Sequence, residues 1–160
     1  MRNWKLTATG EAWFLLIAGL ILGTVFTVGE RYWYAPIPQE NAIAETAIYQ
    51  SCQESTSHGH LQEMKILFEN HAPLYIKGAC LTRELLDDIH ALAPGTELTL
   101  LVHPNSGTIL ELRANGSVLL AFQDAVKGIA LETNGFFGFG LLCYCGAAYG
   151  LLRLLFWKKR

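Results

Sequence analysis

Four cysteines, a His-x-His pair and two adjacent aspartates are the side chains of this 160-residue sequence whose types invite chemistry. Cys143 and Cys145 stand one residue apart in an apolar stretch. On a helix they face different directions, so they read as packing or lipid-facing residues rather than a redox pair. Cys52 and Cys80 lie in the polar middle of the chain. In an oxidising compartment a disulfide between them is chemically reasonable, joining a first strand to the entrance of a helix. It requires Cα atoms within about 7 Å, and the alternative is two small buried hydrophobes. His58-Gly59-His60 offers two imidazoles to zinc or copper if a third ligand from Cys52, Glu54, His71 or His103 folds close, but such a two-residue motif is common by chance and reads better as an exposed loop. Asp87 and Asp88 diverge by about 100° on a helix and form a solvated face, not an acid–base pair. Ser106 has no nucleophile-elbow glycines around it. P-loop, dinucleotide and His-Glu-x-x-His patterns are absent from the sequence. No catalytic residue, cofactor or metal site is therefore expected, with His58 and His60 the nearest approach to a ligand pair.

The elements that would position these groups begin with composition. Hydrophobic residues make up 51% of the chain and charged residues 16%, with a mean hydropathy of +0.25. Soluble chains carry roughly 25% charge, so part of this one belongs in lipid. A pI near 6.2 argues against a nucleic-acid binder.

Residues 12–28 contain no charge and are bounded by Glu11 and Glu30. Residues 135–152 form a second apolar stretch, followed by Arg153, whose guanidinium can snorkel to headgroups. A cleaved signal peptide is the competing reading of the first stretch. No small-residue cleavage pattern follows it, and Tyr32-Trp33-Tyr34 reads as an interfacial aromatic belt. The expected organisation is a cytoplasmic N-terminus (1–11), a first transmembrane helix (12–29), an outer domain (30–133), a second transmembrane helix (134–157) and a cytoplasmic C-terminus (158–160). Orientation follows from Arg2 and Lys5 before the first span and Arg153, Lys158, Lys159 and Arg160 at the end of the second. Segment 30–133 carries six cations against 13 acids, a net of −7, while the ends carry +5. Both termini are expected in the cytoplasm, with residues 30–133 outside a plasma membrane.

Each span holds two glycines four apart, Gly19 with Gly23 and Gly146 with Gly150. That spacing puts both on one face, where backbones can approach closely, against each other or against a partner's helix.

The middle reads as strands around one helix. Residues 42–52 suit a strand, 51–60 a polar loop, 64–69 a half-buried strand and 73–77 a short edge strand. Over 82–92 the period changes. Leu81, Leu85, Leu86, Ile89 and Leu92 share a helical stripe, with Thr82 as N-cap and Pro94-Gly95 as the stop. Alternation then returns in Leu98, Leu100 and Val102, in Leu110 and Leu112, and in Val118, Leu120 and Phe122. Turns at 103–107 and at Asn115-Gly116 separate these strands. Asn115-Gly116-Ser117 is also a glycosylation sequon, though one placed in a tight turn. Residues 124–134 read as a juxtamembrane helix that feeds the second span. The expected class is an α+β membrane protein: two transmembrane helices enclosing a small antiparallel β domain with one helix, either a partly closed barrel of the oligonucleotide-binding type or an open sheet.

A run of residues, Pro94-Gly95 leading into a strand that ends His103-Pro104-Asn105-Ser106, resembles uncharacterised bacterial two-span membrane-hairpin proteins with a small extracytoplasmic β domain. There an Asp stands where this chain has His103, and a second proline follows. The resemblance implies the layout and no activity. A non-enzymatic membrane protein presenting a small acidic domain, as an accessory or assembly subunit, is the expected function; a ligand- or metal-sensing module is the alternative. The expected partners are the lipid bilayer and a membrane protein met through the glycine faces, and not nucleic acid, whose phosphates the acidic domain would repel.

Overall fold

A computed structural model describes residues 8–157. Arg2, Lys5, Lys158, Lys159 and Arg160, which carry most of the orientation argument, lie outside the described residues. The chain forms two compact units, one from the residues up to Tyr32 with those from Thr133 onward, the other Trp33–Glu132.

The first unit pairs two apolar helices. Helix α1 (Ala8–Thr24) passes into a π-helical turn (Val25–Gly29) and then α2 (Glu30–Tyr34), so the helical run outlasts the charge-free stretch. Helix α4 (Phe122–Trp157) is 36 residues long, about 54 Å at 1.5 Å per residue. The expected juxtamembrane helix is its first three turns, because no proline interrupts residues 122–157 and Gly128 is tolerated inside it. Both helical runs are long and apolar enough to cross a membrane.

The second unit is a six-stranded antiparallel sheet plus helix α3 (Arg83–His90). Its strands are β1 (Ile43–Ser57), β2 (His60–Phe68), β3 (Leu74–Lys77), β4 (Glu97–Val102), β5 (Ile109–Ala114) and β6 (Ser117–Leu120), ordered β3-β2-β1-β4-β5-β6. The class is α+β. Strand β1 serves two partners. Residues 43–48 pair with β4 and residues 49–57 with β2, and the register shifts between Tyr49 and Ser51 where it changes over. At that point Tyr49 also exchanges backbone bonds with the β4 lead-in, donating to Thr96 and accepting from Gly95, each at 2.8 Å. Across the open side, Tyr75 of β3 bridges Thr108 in parallel, and its N–H donates to Gly107 at 3.2 Å. The sheet is therefore curled, and β1-β2-β3-β5-β4 run round a single core.

That core is the one the alternation marks: Met64, Ile66, Ile76, Leu98, Leu100, Ile109 and Leu112 have no solvent exposure, and Leu85 and Ile89 cover them from α3. The Thr82 hydroxyl accepts from the Leu85 N–H at 3.2 Å and caps α3. Two expectations fail locally. Residues 51–60 form no loop. They extend β1 into a projecting hairpin, because His58 and Gly59 both adopt positive φ (51° and 79°) and close a two-residue turn. Val118 is exposed, since a register shift between Leu112 and Arg113 turns β6, and Phe122 already belongs to α4.

Candidate functional sites

Between α1 and α4 the seam is made by residues too small to hold the backbones apart. A Cβ on Gly19 would stand 2.5 Å from the Cys143 carbonyl oxygen and 2.8 Å from the Ala147 nitrogen. On Gly23 it would stand 2.7 Å from the Tyr144 ring, and on Gly150 2.7 Å from the Ala12 carbonyl oxygen. Gly146 has nothing within 4 Å, so it is not part of this seam. Gly140 takes that role, with Thr27 Cγ2 2.6 Å from its Cβ position. The reason is angular: seven residues separate Gly140 from Ala147, close to two helical turns, so the two share a face, whereas Gly146 is rotated away from Ala147 by 100°.

A hydroxyl cluster joins the same helices. Thr24 donates to the Leu20 carbonyl at 2.8 Å and Thr27 to the Gly23 carbonyl at 2.7 Å. With both threonine protons spent on backbone, the Tyr144 hydroxyl is the donor toward Thr24 at 3.0 Å. The cluster lies beside the π turn, where wider spacing frees carbonyls from their usual N–H partners. Phe26 stacks on Phe136 and meets Phe139 edge-on, with centroids 5.8 and 5.1 Å apart. Arg153 Nη1 lies 3.3 Å from Glu11 Oε2 and offsets that charge. The outward faces are bare: Trp13, Phe14, Ile17, Leu20, Ile21, Leu142, Leu152 and Phe156 are 48% to 69% exposed.

In the sheet unit, Cys52 and Cys80 are both free thiols. Cys52 lies on β1 opposite Ile66. Cys80 is buried against α4, donating to the Ala125 carbonyl at 3.4 Å, with the Gly128 Cβ position 2.8 Å from its sulfur. Burial pushes its thiol up to about 11, and the Glu132 charge adds to the rise. Burial likewise raises Tyr49, with the neighbouring Cys52 adding to it. Cys143 is half-buried in the helix pair and Cys145 is exposed.

The histidines are dispersed. His58 sits in the hairpin turn against Ser57, and His60 starts β2. His71 Nε2 stands 2.9 Å from Glu45 and His90 Nε2 3.1 Å from Glu54. Among the described residues no group of three or more His, Cys, Asp or Glu is placed to hold a metal ion. His103 is 3% exposed. Its Nδ1 accepts from the Asn105 N–H at 3.3 Å, which leaves Nε2 to donate to the Ala35 carbonyl at 3.1 Å. It thus ties the linker after α2 to the β4–β5 turn. Asp87 and Asp88 are exposed on α3, and the Ser106 hydroxyl bonds to Thr108, two residues on.

The sheet unit contains a groove and a smaller cavity. A groove of about 690 Å³ runs over β4 and β5, lined by Gln39, Glu97, Thr99, Glu111, Arg113 and Asn115. Its buried Glu111 receives Arg113 Nε at 2.6 Å. A smaller cavity of about 220 Å³ surrounds Lys77. The Lys77 ammonium stands 3.9 Å above the Tyr34 ring and 3.8 Å from Glu132, so one cation clips the chain where it leaves α2 and where α4 begins its apolar part. Nothing in the sequence marks Lys77 or His103 for these roles, because both depend on long-range contacts. Thr24 and Thr27 were visible as polar residues in an apolar run.

No protein family, no curated protein and no solved structure matches this chain.

Proposed function

We propose that the chain is a non-enzymatic integral membrane protein. In this reading α1 and α4 cross the bilayer as a hairpin and hold an acidic β module on the outer side. The carrying observation is the division of the helix pair into two surfaces. Small residues and hydroxyls are spent on the mutual seam, while large apolar side chains face outward unpaired. Water penalises so much contiguous apolar surface, and lipid does not. The module, Trp33–Glu132, holds 12 acids and five cations, a net of −7. Such a field favours a basic partner and keeps phosphate polymers away. An accessory or assembly subunit of a membrane complex is the role that fits. Cross-linking the full chain in its native membrane tests this. A reproducible partner is the expected result, and a strictly monomeric protein after exhaustive cross-linking would refute it.

The 690 Å³ groove supports a second reading, a ligand-sensing module. Isothermal titration of small polar ligands would favour it if heat appears and is lost in Arg113→Ala. The metal form of that reading would require metal in the purified protein that His58→Ala and His60→Ala remove.

A further inference from the structure

We infer that the cavity around Lys77 binds the phosphoethanolamine head group of a surrounding phospholipid; this rests on the membrane reading above. Six residues line it: Tyr34, Glu63, Tyr75, Lys77, Ser106 and Thr108. At about 220 Å³ it accommodates a head group and not a drug-sized ligand.

Its charges select the ligand class. Lys77 contributes one ammonium, most of its side chain buried, beside Tyr34 and Glu132. Glu63 lies directly across from Lys77 on β2, and among the described residues its carboxylate has no ion-pair or hydrogen-bond partner. A purely anionic ligand would meet the Glu63 carboxylate. A purely cationic one would meet Lys77. A zwitterion, with phosphate toward Lys77 and amine toward Glu63, satisfies both walls. The hydroxyls agree with this. Thr108 is 2% exposed, and its oxygen accepts from Ser106 at 2.9 Å while Ser106 accepts from the Thr108 N–H at 3.4 Å. Among the described residues no acceptor takes the Thr108 hydroxyl proton, and a phosphate oxygen in the cavity would. Sequence position supplies the source. Tyr34 ends the helical run that begins in the first apolar stretch, and Glu132 comes just before the second, so lipid head groups are the abundant zwitterions there.

The test is native mass spectrometry of the full chain from micelles holding equimolar dioleoyl phosphatidylethanolamine, phosphatidylcholine and phosphatidylglycerol. The expected result is retention of the ethanolamine lipid about tenfold over the other two, about 1.4 kcal/mol of preference. Glu63→Gln should abolish the preference over choline, whose methylated amine cannot donate to a carboxylate. Ser106→Ala and Lys77→Gln should lower retention of the ethanolamine lipid, with circular dichroism confirming that each variant is folded. Soluble phosphoethanolamine at millimolar concentration should displace the bound lipid. Equal retention of the three lipids, a preference that survives Glu63→Gln in a folded protein, or a retained lipid that phosphoethanolamine leaves in place would each overturn the inference. Should the chain fail to stay with bilayers at all, the membrane reading falls instead.

Discussion

Adding one methyl group at Gly19 should separate the helices, and adding one at Gly146 should not. In Gly19→Ala the new Cβ would lie 2.5 Å from the Cys143 oxygen, 2.8 Å from the Ala147 nitrogen and 2.9 Å from the Ala147 Cβ. Ordinary contact needs about 3.5 Å, so α1 and α4 must part locally by roughly 0.7–1 Å. A seam with about as many atom pairs as one buried leucine, roughly 40–60 at ~0.15 kcal/mol each, loses at least a quarter of that attraction over such a gap. The expected loss is about 2 kcal/mol. Both substitutions also gain up to about 1 kcal/mol of helix propensity, so the difference between the two variants is the quantity that isolates the seam. The assay is unfolding of the full chain in mixed micelles with increasing dodecyl sulfate, followed by circular dichroism at the helix bands. Gly146→Ala, whose Cβ meets nothing within 4 Å, should match or exceed the natural chain. If Gly146→Ala proved as destabilising as Gly19→Ala, the assignment of the seam would be wrong.

Other expectations concern the polar cluster, the hairpin and the buried thiol. Tyr144→Phe removes the donor to Thr24 and should cost about 0.6 kcal/mol in the same micelle assay, an effect absent when Thr24 and Thr27 are both already Ala. Gly116→Val forces a β-branched residue into a φ of 80° and should cost at least 1–2 kcal/mol, read as a lower urea midpoint. Cys80 titrates near 11 when folded and near 9.0 when unfolded, so the unfolded chain loses its proton first. Stability should be flat below pH 9 and fall between pH 9 and 11, by no more than about 1.4 kcal/mol per pH unit. Tyr49, also raised, acts in the same direction above pH 10. Cys80→Ala should flatten the first part of that decline in urea midpoints measured across pH.

Much of the sheet was legible because strands such as β2 and β4 bury one face. Met64, Ile66 and Phe68, or Leu98, Leu100 and Val102, alternate cleanly, and a period of two admits no other element. The N-cap at Thr82 and the turn at Asn115-Gly116 were likewise local signals, readable without the fold. The projecting part of β1 was not. Residues 53–57 have both faces in solvent, so composition there mimics a loop, and only the His58-Gly59 turn betrays the hairpin. Helix packing was half legible. A four-residue glycine spacing states that two glycines share a face, not which face the partner helix meets, so Gly146 was indistinguishable from Gly140. How Cys52 and Cys80 sit was not legible for a related reason. Strand and helix entrance were both placed, but the distance between them depends on how the sheet curls and on α4 covering Cys80 through Ala125 and Gly128. The roles of His103 and Lys77 are set by partners 68 residues away and by a ring and a carboxylate at opposite ends of the domain.

The central claim, that α1 and α4 lie in lipid, is tested most directly by alkaline carbonate fractionation of membranes carrying the full chain. Retention of the polypeptide in the pelleted bilayer is the result expected of a helical hairpin with bare apolar faces. Its recovery intact in the supernatant would contradict the account.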